Sequence, residues 1–144
     1  MNTAPPQHCV SVSGVILDDH GRILLIRRRD NQHWEPPGGV LELAETIQDG
    51  LRREVREETG LDIEPDALTG VYKNMLCGII ALVFRCMITG GYLTANDEVT
   101  AFHWADQADI RQLTSEAYAI RLLDALREGA APAIREHDGT ELLG

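Results

Sequence analysis

The amino-acid sequence predicts an α+β fold in which helices pack against a central mixed sheet. Three observations carry this. Short segments rich in valine and isoleucine are closed by turn residues; "IIALVFRCMI" (79–88) is apolar at almost every position; and two stretches have helical periodicity without strict strand–helix alternation.

In chain order, Val10–Leu17 ends in "DDHG" and Ile23–Ile26 follows directly, so a hairpin with its turn at Asp19–Gly21 is expected. "RRRDNQHWEPPGG" (27–39) reads as loop, because paired prolines and paired glycines stand among polar residues. A helix is expected from about Thr46 to Thr59, with apolar stripe Ile47, Leu51 and Val55 and with Gly60 as the left-handed residue that ends it. "LTGVYKN" (68–74) and 79–88 read as strands, the second being the central one with both faces covered. A turn at Gly90-Gly91, a strand over "VTAFHWA" (99–105) and a helix over Ser115–Glu128 follow. The closing "APAIREHDGTELLG" forms either a short hairpin at Asp138-Gly139 or a frayed tail.

The 144 residues suit one domain, 1–144, with 1–9 and about 130–144 peripheral or flexible. No apolar run is long enough to span a bilayer, and "MNTAPPQHCV" has neither a basic nor an apolar leader region, so the expected location is cytoplasmic. Three cysteines without a CxxC pair argue against a disulfide framework and a zinc site. A net charge of −10 disfavours nucleic-acid backbones and suits a protein that gathers cations.

The expected helix over 46–59 poses a problem. Glu54, Glu57 and Glu58 stand in its last turns, at the negative end of the dipole and at mutually repulsive spacings; each pair costs about 0.2–0.5 kcal/mol. At about 100° per residue the three share a face that partly overlaps the apolar stripe. Two explanations are open. Arg52, Arg53 and Arg56 neutralise a solvated helix end, or a hard divalent cation reverses the sign of the interaction.

The wider window decides between them. Gly39, five residues, Glu45, seven residues and then "REVREETGL" (53–61) match every fixed position of the Nudix box, and the chain resembles the Nudix hydrolases over roughly residues 10–128, including "HWEPPGG" and "DEVTAFHWA". The resemblance implies an α/β/α sandwich with a mixed sheet and hydrolysis of a nucleoside diphosphate linked to another moiety with Mg²⁺ or Mn²⁺. It implies Glu54, Glu57 and Glu58 as metal ligands, Glu54 also as candidate general base, the Gly38 carbonyl as a further ligand, Arg53 as the residue that orients the carboxylates, and Glu45 as a brace for the loop. Glu98, with Asp97 as fallback, is the candidate for the extra acid or base that relatives supply after the box. A homodimer is a further implication. Ala44 stands where the family usually has glycine, Gly50 where a helix-favouring residue is common, and Pro36 where a bulky apolar residue often precedes "PGG".

Arg27, Arg28 and Arg29 alternate along a strand end, so one or two of them, Arg27 and Arg29 being the candidates, point toward substrate; a solubilising strand end is the alternative. Trp34 either stacks on a base or packs its loop, with His33 beside it. His103 is expected to be structural or superficial, and Tyr72 and Met75 lie near a candidate substrate loop. The partner expected is a nucleotide-type small molecule, with no stable nucleic-acid or membrane binding. The competing classes are a non-hydrolytic ligand-binding or regulatory module and a metal-dependent isoprenoid isomerase.

Overall fold

A computed structural model describes residues 4–144; residues 1–3, the start of the N-terminal stretch expected to be peripheral, lie outside the described residues. The elements are β1 (Cys9–Ile16), β2 (Ile23–Arg28), β3 (Trp34–Glu35), β4 (Gly38–Val40), α1 (Ile47–Thr59), β5 (Leu61–Asn74), β6 (Ile79–Gly91), β7 (Val99–Ala105), α2 (Gln107–Leu113), α3 (Glu116–Ala125), β8 (Ala133–His137) and β9 (Leu142–Leu143). One mixed sheet has the order β4-β1-β6-β5-β8-β9, and a second, antiparallel, has the order β3-β2-β7.

β6 pairs in parallel with β1 and antiparallel with β5, the central place expected of its apolar run. Both faces are not covered along its whole length, because Met87 and Ile88 are exposed. The expected hairpin of β1 and β2 is not formed. Its turn is present, with Gly21 at φ +74° and the Asp18 carboxylate accepting from the amides of His20 and Arg22. Only a single bridge, Leu17 to Ile23, joins the arms, because both edges of β1 are taken by β4 and β6, and the chain passes into the second sheet.

The loop expected over 27–39 contains β3 and the start of β4. β5 begins at Leu61 and runs through Pro65, which lies at a register shift where its missing N–H interrupts no regular ladder. α2 was not signalled by periodicity because it has only seven residues; its sequence signal is the reciprocal cap of Asp106 and Asp109. α3 ends at Ala125, short of the expected Glu128. Of the two courses open to the C-terminal segment, the hairpin is the one formed: β8 pairs with β5 and β9 folds back on β8.

Side-chain alternation along β1 and β2 divides the core in two. Val12, Ile16 and Leu24 pack with Leu51 and Val55 of α1, whereas Val15, Ile23 and Leu25 pack with Ile110, Ala119 and Leu122 of α2 and α3. The sheets therefore lie between α1 and the α2–α3 pair, the α/β/α sandwich.

α1 is held at both ends as its sequence requires. Thr46 Oγ1 accepts from the Asp49 amide, and Gly60, at φ +82°, closes the helix with its N–H on the Arg56 carbonyl. Ile47 is the exception to the expected stripe, standing half exposed while Leu51 and Val55 are fully buried. Ala44 has a negative φ, so the turn before the helix does not need glycine there. Gly50 leaves room for two side-chain ends: a Cβ there would lie 2.5 Å from Leu41 Cδ1 and 2.8 Å from Glu45 Oε1, so both would have to shift. Alanine normally gains about 1 kcal/mol over glycine in a helix. Gly50→Ala is instead expected to lower both melting temperature and turnover, because it displaces Glu45. A thermal melt in which this variant gains stability would contradict the packing account.

Candidate active site

The start of β4 passes over the C-terminal half of α1 on one side and against β1 on the other, where a Cβ on Gly38 would meet the Val12 carbonyl and Ser13. A Cβ on Gly39 would lie 2.5 Å from the Glu54 carboxyl carbon, so only glycine lets that carboxylate rest against the strand. The Gly38 amide donates to Glu58 Oε1 at 2.7 Å. On the far side, Asn96 fastens the loop before β7 to the end of α1: its Nδ2 donates to the Glu58 carbonyl at 2.8 Å, and its Oδ1 accepts from the amides of Glu98 and Val99. The result is a cleft of about 590 Å³ into which Glu54, Glu58, Asp97 and Glu98 face, with Gly38 and Arg29 in its walls.

The three arginines of α1 do not neutralise this cleft as a set. Arg52 pairs with Asp49 at 2.9 Å and Glu64 at 2.6 Å, and Arg56 with Asp62 at 2.8 Å. Arg53 alone serves the box. It grips Glu45 through two hydrogen bonds of 2.6 and 2.8 Å, and its Nη1 reaches Glu54 at 3.0 Å and Glu57 at 3.4 Å. The guanidinium hydrogen bonds hold the Glu45 carboxyl down at about 2, with help from the Glu42 amide. Glu45 thus braces the loop before α1 against the helix.

Glu58 has no basic partner among the described residues, although it is only 7% exposed. Burial pushes its carboxyl up to about 8; the Gly38 amide opposes this, and the charges of Glu54, Glu35 and Glu98 add to it. Glu54 is also raised, first by burial, then by Glu57 and Glu98, against the pull of Arg53. Glu58 is thus a buried carboxyl that none of the protein's cations reaches among the described residues, beside Glu54, whose charge Arg53 offsets in part.

That donor chemistry fits a hard divalent cation: carboxylate oxygens from two turns of one helix and a loop, a nearby backbone carbonyl, and an open solvent side. Among the described residues, no three His, Cys, Asp or Glu side chains are yet gathered tightly enough to hold an ion. The Gly38 amide and the Arg53 guanidinium hold Glu58 and Glu54 individually instead.

The cleft does not gather every residue expected there. Glu57 is half exposed and lies outside the lining, reaching the site only through Arg53. Arg28 and Arg29 border the cleft but Arg27 does not, because the register shifts between Arg27 and Arg28; Arg27 Nε donates to Thr100 Oγ1 at 2.9 Å. Trp34 packs near Arg27 and edge-on to His103, away from the carboxylates, and His33 lines a separate hollow beside it. His103 is structural, with Nε2 3.0 Å from Asp109. Tyr72 is fully buried and donates to Asp124, and Met75 is exposed. Pro36 borders a second cavity beside the cleft. Asn96 was not identified from the sequence; its signal was an asparagine directly before the Asp97-Glu98 pair, where its side chain caps the strand entry.

Comparison with known proteins agrees with this geometry. The profile of the NUDIX domain matches residues 7–126. A MutT-like protein from Streptomyces ambofaciens is 55% identical over 98% of this chain and 91% of its own. An ADP-ribose pyrophosphatase from Methanocaldococcus jannaschii is 34% identical over 72% of this chain, which spans 65% of that relative. The crystal structure of a MutT protein from Methanosarcina mazei superposes with a TM-score of 0.76 at 24% identity, covering 90% of this chain and all of that one, which bears on the fold alone. Among the described residues no helix is long and apolar enough to cross a membrane. With the matched domain covering most of the chain and a relative 55% identical over nearly all of it, the protein belongs to the Nudix family of pyrophosphohydrolases.

Proposed function

We infer that the protein hydrolyses a phosphoanhydride bond in a nucleoside diphosphate linked to a further moiety, such as a nucleoside triphosphate, an ADP-sugar or a dinucleotide, and that it depends on a divalent cation. One observation carries the reading: Glu58 is buried without a counter-charge in the same cleft as Glu54 and Glu98.

Mg²⁺ or Mn²⁺, held by Glu54, Glu57, Glu58, Glu98 and the Gly38 carbonyl, would supply Lewis-acid stabilisation of the diphosphate oxygens and lower the pKa of the attacking water. To join them Glu57 would have to turn inward from its present place 3.4 Å from Arg53. Glu54 is the proposed general base, because it faces the cleft and Arg53 fixes the direction of its carboxylate. Glu98 is the second candidate, on the facing wall. Arg53 fixes Glu54 against rotation, and Glu45 fixes Arg53. Arg28 and Arg29 place positive charge at the rim where a phosphate arrives.

The experiment is a panel of nucleoside triphosphates, ADP-sugars and dinucleoside polyphosphates with Mg²⁺, read by release of phosphate or pyrophosphate. At least one class is expected to be cleaved, and excess chelator is expected to stop the reaction. Absence of release across the panel would favour the regulatory-module reading.

A further inference from the structure

A smaller cavity of about 210 Å³ opens beside the carboxylate cleft and shares Arg28, Gly38, Gly39 and Val40 with it. It is below the roughly 300–1,000 Å³ of pockets that enclose a whole ligand, so it suits one end of a molecule whose other end lies over Glu54 and Glu58. Two residues lining it carry buried polar atoms with no hydrogen-bond partner among the described residues, Nε of Arg121 and Oγ of Ser13.

Arg121 is only 7% exposed, and its Cζ lies 5.3 Å from the Tyr72 ring and 4.7 Å from the Tyr118 ring. It has no carboxylate within ion-pair distance among the described residues; Glu35, the nearby acid, is engaged by Arg28 at 3.4 Å. Its Nη2 lies 3.0 Å from His137 Nε2, while His137 Nδ1 lies 2.9 Å from the Gly139 amide. Burial and the Arg121 charge keep this imidazole neutral, and a neutral imidazole has one lone pair to give. The guanidinium therefore carries five donors, one contested acceptor and no counter-charge. Aromatic faces stabilise its charge but leave its N–H groups unmet.

We propose that this cavity selects the substrate's base, taking a nucleobase by an oxo edge, with Arg121 and Ser13 both donating to the ring carbonyl, whose oxygen has two lone pairs to accept them. A guanidinium only donates, so an amino group in the carbonyl's place sets donor against donor and leaves both unpaired in a buried site. The proposal rests on the diphosphate lying in the carboxylate cleft, which places the attached base at the shared Gly38–Val40 wall.

Calorimetric titration without divalent cation compares two pairs that differ in an oxo or amino edge: inosine with adenosine 5′-monophosphate, and uridine with cytidine 5′-monophosphate. In at least one pair the oxo member is expected to bind about tenfold or more tightly, the discrimination that one good donor pair gives. That preference is expected to collapse in Arg121→Met. If a thermal melt shows that variant to be unfolded, Ser13→Ala, which removes the second donor, is expected to narrow the preference. Equal or amino-preferring binding in both pairs, no binding of any of the four, or a preference that survives in every folded variant would overturn the proposal. Failure of the hydrolase reading has a different signature, no phosphate release by the wild-type protein with Mg²⁺ whatever its base preference.

Discussion

Glu58→Gln is expected to raise the melting temperature of the cation-free protein at pH 9 while lowering turnover with Mg²⁺ on the order of 10²–10³-fold. The two effects have one cause. Glu58 is buried, and its carboxyl is pushed up to about 8 from a usual value of 4.5. The folded protein therefore binds that proton more tightly than the unfolded chain does. The stability this contributes is fully present below about pH 4.5 and is lost as pH rises through about 8, a change on the order of a few kcal/mol. Glutamine preserves the shape and can still accept from the Gly38 amide, but it carries no charge to bury. The wild-type and variant melting curves in chelator should nearly coincide at pH 5 and separate by pH 9, with the wild type lower. Added Mg²⁺ should raise the wild-type curve and leave the variant unmoved. A variant less stable than wild type at pH 9 would show that Glu58 has a counter-charge after all.

Arg53→Ala is expected to cut kcat on the order of 10²-fold, through positioning rather than chemistry, since Arg53 acts on substrate only by way of Glu54 and Glu57. Its loss releases Glu45, which two guanidinium hydrogen bonds hold, and with it the loop leading into α1. The Glu45 carboxyl should move up from about 2 toward its ordinary value, an effect that NMR titration reads independently of activity. Arg53→Lys should recover little, because an ammonium is a point charge and cannot take both Glu45 oxygens while reaching Glu54. Wild-type turnover in Arg53→Ala would remove Arg53 from the site altogether.

Much of this arrangement was legible in the sequence because it is local. α1, its threonine cap and its glycine end follow from a window of fifteen residues, and the crowding of Glu54, Glu57 and Glu58 is visible at helical spacing. Long-range placement was not. Whether β1 pairs with β2 or with β4 and β6 depends on which partners fill its edges, and the chain's turn looks the same in both cases. The alternation rule pointed to Arg27 and Arg29; Arg29 does border the cleft, but the shift at Arg27 and Arg28 leaves Arg27 out and brings Arg28 in. Likewise Arg121 and Ser13, over a hundred residues apart, acquire meaning only when folding leaves one polar atom of each without a partner at one cavity. The burial of Glu58 rather than Glu57 depends on how closely β4 lies over the helix, where Gly39 leaves room for Glu54 and the Gly38 amide meets Glu58.

The carboxylates that α1 brings to the cleft are proposed as a binding site for a divalent cation. Titration calorimetry with Mn²⁺ near pH 7, repeated in buffers of different ionisation enthalpy, tests it most directly. Uptake at up to millimolar concentration is expected, with release of close to one proton as Glu58 becomes charged, and with affinity weakened at least about tenfold in both Glu54→Gln and Glu58→Gln. No uptake of Mn²⁺ or Mg²⁺ at millimolar concentration, with or without a nucleotide, would contradict the account.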